Sequence, residues 1–88
     1  MSNAYQIYLI SDSTGETLDR IFLAIKAQFK NIDYKIHTYS FTRTENQILK
    51  ILSDAEKNPN SIILYSIVDN NLAKYLANIS SDKKIPCF

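Results

Sequence analysis

A short run of hydroxyl-bearing and acidic residues follows the first apolar stretch of the chain. Residues 11–15 read SDSTG and contain the only glycine of the sequence. Hydroxyl groups and free amides at a helix start bind phosphate, and a glycine lets the backbone approach the anion closely. A phosphate site is therefore predicted here. Its candidate residues in this stretch are Ser11, Asp12, Ser13, Thr14 and Gly15. The carboxylate among them would repel a phosphate unless a cation lay between the two.

The same stretch also has the pattern of a helix start. Ser13 and Glu16 have the spacing of a capping box, in which the serine side chain and the glutamate satisfy free amides. Such a cap contributes about 1 kcal/mol with no ligand bound. The sequence contains neither G-x-G-x-x-G nor G-x-x-x-x-G-K-[ST]. The residues alone leave both interpretations open, and the two are compatible.

Strand and helix patterns alternate along the chain. Apolar runs at residues 5–10 and 61–68 predict two central strands, and the alternating polarity of residues 34–41 predicts an outer strand. Apolar residues at helical spacing predict three helices between and after these strands. The residues of the predicted helical stripes are Leu18, Ile21, Phe22, Ile25 and Phe29; Ile48, Ile51, Leu52 and Ala55; and Leu72, Leu76 and Ile79. The second helix is predicted to begin with a capping box from Thr44 to Gln47, and the third with Asp69 as its cap.

This alternation predicts an α/β fold, a three-layer Rossmann-like half-domain. Its parallel sheet is predicted to have about four strands in the order 2-1-3-4, with the fourth beginning at residues 84–88. Ligands of such sheets bind beyond the carboxyl ends of the strands, where the strand order reverses. Arg43, Ser66 and Asp69 are predicted to share that edge with residues 11–15, and Arg43 is the candidate cation of the phosphate site.

Other residues have plainer interpretations. His37 is a lone histidine, more typical of an exposed strand residue than of a catalyst, and Cys87 is predicted to be a buried strand residue. The aromatic residues predicted to lie in the core are Tyr5, Tyr8, Phe22 and Phe29. The residues therefore predict no catalytic group and no metal site.

Composition excludes several classes of partner and location. The formal net charge is +1, from 10 basic and 9 acidic residues, which gives no electrostatic reason to expect nucleic acid or a membrane surface as a partner. A single cysteine, no apolar run of about 20 residues and no signal peptide indicate a cytoplasmic protein. Residues 1–4 are predicted to be a disordered N-terminus or a tag remnant. Residues 5–88 are predicted to be an N-terminal domain truncated from a longer protein.

The segment IYLISDSTGETLDRIFLAIKAQF, residues 7–29, resembles the N-terminus of the pyruvate, phosphate dikinase and phosphoenolpyruvate synthase regulatory proteins. Three later segments are similar to that family in the same order, namely FTRTENQI, LYSIVD and IPCF. The resemblance covers residues 5–88, and members of the family are roughly three times as long as this chain.

The resemblance implies a bifunctional serine/threonine kinase and phosphorylase. Such proteins use ADP to phosphorylate a threonine of the dikinase or synthase, and they remove that phosphate with inorganic phosphate, releasing pyrophosphate. Nothing in this sequence is similar to the family's P-loop-like nucleotide segment, so the main ADP site is expected elsewhere in the parent protein. The 88-residue chain alone is then expected to be inactive. Two alternatives remain, a target-docking or homodimerisation module and a small-ligand α/β sensor domain.

Overall fold

The computed structural model describes residues 5–14, 16–27 and 33–88. Within those ranges the chain forms an α/β fold in which strands and helices alternate, as predicted. The elements are β1 (Tyr5–Ser11), α1 (Glu16–Lys26), β2 (Tyr34–Tyr39), α2 (Glu45–Glu56), β3 (Ser61–Ser66) and α3 (Asn70–Asp82). None of these helices is long and apolar enough to cross a membrane. Residues 1–4 and Phe29 lie outside the described ranges.

The three strands form a parallel sheet in the order β2-β1-β3. Tyr8 of β1 pairs with His37 on one side and with Ile63 on the other. β1 is apolar on both faces because it is the central strand of the described sheet. The parallel arrangement brings the carboxyl ends of all three strands to one edge.

Helices cover both faces of the sheet, which confirms the predicted three layers. Tyr8, Ile10 and Ile63 face one side and pack with buried residues of α2 and α3. Leu9 faces the other side and packs with Leu18 and Phe22 of α1. The larger cluster therefore lies under two helices and the smaller one under a single helix.

The predicted fourth strand is reduced to one isolated bridge, between Ile63 and Cys87. Residues 86–88 lie along β3, where the Ile63 amide donates to the Pro86 carbonyl over 2.9 Å and the Phe88 amide donates to the Ile63 carbonyl over 2.8 Å. Three residues are too few for a regular ladder, and Pro86 has no N–H to donate. The described sheet therefore has three regular strands, and the second edge of β3 pairs only with residues 86–88.

Several smaller predictions were also wrong. β2 ends at Tyr39 and β3 at Ser66, each two residues before the predicted end. Tyr5 is 39% exposed and Ile21 is 46% exposed, so neither lies in the core. His37 is half-buried, because its ring stacks on Tyr8 with centroids 4.6 Å apart.

The predicted starts of α2 and α3 were confirmed. Thr44 caps α2 in a reciprocal capping box with Gln47, and Asp69 caps α3 by accepting the amides of Asn71 and Leu72. Each cap satisfies amides that have no partner inside the helix. These two helix starts follow the strand ends closely, so they fix the loops that surround the candidate site.

A candidate phosphate site at the strand ends

The candidate site is formed by the loops that follow the three strands. The β1 loop comprises residues 12–14, the β2 loop residues 40–43 and the β3 loop residues 67 and 68; Thr44 and Asp69 are the caps of the helices that follow. Backbone and side-chain hydrogen bonds join all three loops. The site therefore has the location predicted for it, at the edge where the strand order reverses.

The β1 loop is held mainly through its backbone carbonyl groups. The Ser11 carbonyl, at the end of β1, accepts from the Thr42 amide over 2.8 Å, and the Ser13 carbonyl accepts from the Phe41 amide over 3.0 Å. The Asp12 carbonyl accepts from the Arg43 side chain. Four consecutive carbonyls, those of residues 11–14, accept from residues 40–43, because the Ser40 hydroxyl also donates to the Thr14 carbonyl over 3.3 Å.

Arg43 lies against the β1 loop, as predicted. Its Nε donates to the Asp12 carbonyl over 3.1 Å, and its guanidinium carbon lies 5.3 Å from the centre of the Phe41 ring. Both contacts fix the side chain while the residue remains exposed. An arginine held in this way keeps further N–H groups that suit a phosphate.

Asp12 connects the β1 loop to the β3 loop. Its amide donates to the Ser66 carbonyl over 3.3 Å, and its Oδ2 accepts from the Val68 amide over 2.8 Å. The carboxylate is thus engaged by the fold, which reduces its freedom to orient a ligand. Among residues 5–14, 16–27 and 33–88, no group of three or more histidine, cysteine, aspartate or glutamate side chains is placed to hold a metal ion.

The two serines of the candidate site interact with each other. The Ser13 amide donates to Ser11 Oγ over 3.1 Å, and the two hydroxyl oxygens are 3.4 Å apart. Thr14 is not helical, so Ser13 does not occupy the cap position that the predicted capping box requires. That capping box was wrong. Ser11 is buried, whereas Ser13 and Thr14 are exposed; Gly15 lies outside the described residues.

Sequence reasoning missed two residues that shape this edge. The sequence predicts Phe41 as the last residue of β2, yet its φ of 56° is left-handed and ends the extended chain. Gln47 was predicted only as a capping residue, yet its side chain also contacts Phe41 and Arg43. The capping pattern was a signal for Gln47, whereas phenylalanine gives no signal for a left-handed conformation.

His37 does not belong to the candidate site. Its Nε2 lies 2.7 Å from Gln6 Oε1, and its ring lies against Tyr8. Both partners belong to β1, so the histidine contributes to packing between neighbouring strands.

Comparison with known proteins identifies relatives along nearly the whole chain. The family model described as "Kinase/pyrophosphorylase" matches residues 7–88. A protein of Pelagibacter ubique strain HTCC1062, named as a pyruvate, phosphate dikinase regulatory protein, is 73% identical over 88 residues, covering 100% of this chain and 32% of the relative. A protein of the same name in Geotalea uraniireducens is 49% identical and covers 83% of this chain and 27% of the relative. Another in Alkaliphilus oremlandii is 40% identical and covers 91% of this chain and 28% of the relative.

The chain spans about a third or less of the length of these curated relatives. The similarity nevertheless extends from the first strand through the strand-end loops to the last residue. It includes every candidate residue named above. This chain belongs to the kinase/pyrophosphorylase family.

Proposed function

We propose that this chain is the N-terminal part of an ADP-dependent protein kinase and phosphate-dependent pyrophosphorylase. The parent enzyme would phosphorylate a threonine of pyruvate, phosphate dikinase and would remove that phosphate with inorganic phosphate, releasing pyrophosphate. The family description supports the two activities. The names of the relatives favour the dikinase over phosphoenolpyruvate synthase as the target.

The strand-end loops are proposed to contact a phosphoryl group of the substrates. The observation that carries this proposal is the position of Arg43, whose Nε is bound to the Asp12 carbonyl beside the hydroxyl-bearing residues Ser13 and Thr14. Phosphoryl transfer depends on positioning and on cations that stabilise negative charge. A fixed guanidinium beside exposed hydroxyl groups is suited to that role.

The main ADP site is proposed to lie in the rest of the longer protein. The 88-residue sequence has one glycine and no Gly-rich phosphate loop with a lysine. A chain with a single candidate arginine therefore lacks most of the charge that phosphoryl transfer requires. We expect the purified chain to leave the dikinase unphosphorylated, and measurable phosphorylation would contradict this part of the proposal.

Substitution in the full-length protein tests the strand-end site. We expect Arg43→Ala to raise the KM for inorganic phosphate or for ADP by about tenfold or more, because a charged hydrogen bond to the substrate is lost. Ser13→Ala should act in the same direction and more weakly. Arg20→Ala is the matched control, since Arg20 is an exposed arginine on α1. Unchanged KM and kcat in both directions for Arg43→Ala would exclude the site.

Titration of the 88-residue chain gives an independent measurement. Phosphate, pyrophosphate and ADP are added separately while amide NMR signals are followed. Saturable shifts at Ser13, Thr14 and Gly15, the only glycine, would support a ligand site in this chain. Signals that stay unchanged with all three ligands would restrict phosphate binding to the longer protein.

Docking of the target enzyme is the second candidate function. Two apolar side chains are exposed at the strand ends, with Phe41 at 52% and Val68 at 84%. Apolar side chains at such a rim suit contact with a protein surface. We expect Val68→Ser to weaken binding of the dikinase while the KM for phosphate stays unchanged. Equal affinity of the variant and the original protein for the dikinase would exclude this role for Val68.

A further inference from the structure

We infer that Gln47 is the positioning residue of the strand-end site and acts through Arg43 and the β2 loop. This inference rests on the proposed function, in which Arg43 contacts a phosphoryl group. It assigns to a helix-capping glutamine a second role, in substrate affinity.

The side chain of Gln47 joins two residues of the β2 loop to Thr44, the cap of α2. Its Oε1 accepts from the Arg43 amide over 2.7 Å and from the Thr44 amide over 3.0 Å. Its Nε2 donates to the Phe41 carbonyl over 3.3 Å. A capping box alone needs only the contact with the Thr44 amide. The bonds to Arg43 and Phe41 therefore go beyond capping and fix the backbone on both sides of Thr42.

Phe41 needs such support because its backbone is strained. A φ of 56° is unfavourable for a bulky side chain and persists only when surrounding contacts enforce it. The Phe41 amide donates to the Ser13 carbonyl, and the Phe41 carbonyl accepts from Gln47. The same conformation places the Phe41 ring against the Arg43 guanidinium. Gln47 thus stabilises the backbone that positions Phe41 and Arg43 beside the β1 loop.

The effect of Gln47 extends to the β1 loop. Residues 40–43 donate the four hydrogen bonds that engage the carbonyls of residues 11–14. A carbonyl oxygen that is bound to a donor repels an approaching anion less than a free one does. By fixing the β2 loop, Gln47 therefore keeps the four carbonyl oxygens of residues 11–14 bound to hydrogen-bond donors beside the predicted phosphate position.

Two substitutions separate this role from helix capping. Gln47→Met and Thr44→Ala each remove one half of the capping box, and only Gln47→Met also removes the bonds to Arg43 and Phe41. In the full-length protein we expect both to lower the melting temperature by about 2 °C or more. Gln47→Met should raise the KM for inorganic phosphate about tenfold, whereas Thr44→Ala should change it less than about twofold.

A double variant tests whether Gln47 acts through Arg43. In the Arg43→Ala background we expect Gln47→Met to cause no further rise in KM, since coupled residues are not additive. In the protein that retains Arg43, Gln47→Glu should restore part of the phosphate affinity that Gln47→Met loses. Its carboxylate can again accept from the Arg43 and Thr44 amides.

The outcomes distinguish the inference from the proposed function. If Arg43→Ala raises the KM and Gln47→Met does not, the inference is overturned and the proposed site stands. If Arg43→Ala changes neither KM nor kcat, the proposed site itself fails. Should Gln47→Met not fold, Gln47→Glu replaces it, because its carboxylate can still accept from the Arg43 and Thr44 amides while the donor to the Phe41 carbonyl is removed. An unchanged KM in that folded variant would overturn the inference.

Discussion

Tyr39 is a half-buried residue at the end of β2, and its surroundings oppose ionisation. Burial raises the pKa of its hydroxyl above the ordinary value, and the negative charge of Asp54 raises it further. The folded state therefore holds this proton more tightly than the unfolded state does. The protonated Tyr39 hydroxyl contributes fully to stability below a pH of about 10, which is the pKa of an unfolded tyrosine. This contribution is lost as the pH rises above that value.

We expect Tyr39→Phe to reduce the loss of stability at alkaline pH. Between pH 7 and about pH 10.5, the midpoint of urea unfolding should fall less in the variant, because its unfolded state has no Tyr39 hydroxyl to ionise. Asp54→Asn should have a smaller effect in the same direction, since it removes the second cause of the shift. Equal alkaline losses in the original chain and in Tyr39→Phe would contradict the assignment.

The order of strands and helices was enough to predict which residues share the strand-end edge, but not what binds each of them. Arg43 and Asp12 come together as expected, because parallel strands end at one edge. The bond from the Val68 amide to Asp12 joins residues 56 positions apart, so no local pattern indicates it. Pairing of that kind depends on the register between β1 and β3, which cannot be predicted from the residue types.

A lysine two residues after the end of helix α3 has a backbone conformation that favours glycine. Lys84 has a φ of 59°, and the next amide, that of Ile85, donates to the Ser80 carbonyl over 2.8 Å. The left-handed residue lets the chain turn back and satisfy carbonyls at the helix end. A side chain at this position makes the conformation less favourable than it would be for glycine.

We expect Lys84→Gly to raise the free energy of unfolding by about 0.5–1 kcal/mol. Lys57 is the matched control, because it caps the end of α2 with an ordinary φ of −71°. Lys57→Gly should lower stability by up to about 1 kcal/mol, since glycine there only adds freedom to the unfolded chain. Urea unfolding of both variants makes the comparison. Destabilisation by Lys84→Gly would contradict the argument.

The best predicted elements were helices α2 and α3, because their caps and apolar residues are close together in the sequence. Thr44, Gln47 and Asp69 lie within four residues of the amides they bind, so local pattern sufficed for α2 and α3. The start of α1 and the fourth strand were predicted less well. The hydroxyl of Ser13 lies beside Ser11 Oγ, and Cys87 forms only a bridge. The first contact joins residues two positions apart, whereas the bridge between Ile63 and Cys87 depends on tertiary structure, which overrides local preference.

Among the side chains that the structure describes, the buried clusters on the two faces of the sheet differ in size. Leu52 is fully buried in the cluster under α2 and α3, which contains ten buried residues. Leu18 belongs to the cluster under α1, where three buried residues meet partly buried neighbours. A cavity costs most where the surrounding atoms cannot move into it. The face under two helices should therefore be the less tolerant one.

We expect Leu52→Ala to lower the free energy of unfolding by about 3–5 kcal/mol and Leu18→Ala by about 2–3 kcal/mol. The comparison uses the same chemical change at two buried leucines, which are 0% and 3% exposed. Urea unfolding gives both values under one set of conditions. An equal or larger loss for Leu18→Ala would show that the α1 face is packed as tightly as the other.

The central position of β1 has a consequence for biosynthesis. β1 leaves the ribosome before its two neighbours, and each β3 residue that pairs with it, such as Ile63 with Tyr8, follows 55 residues later. At ordinary translation rates this delay lasts about 3 to 11 s. Until then a strand that is apolar on both faces lacks one of its partners. A chaperone that recognises extended apolar segments would therefore have more time to bind β1 than any later strand of the sheet.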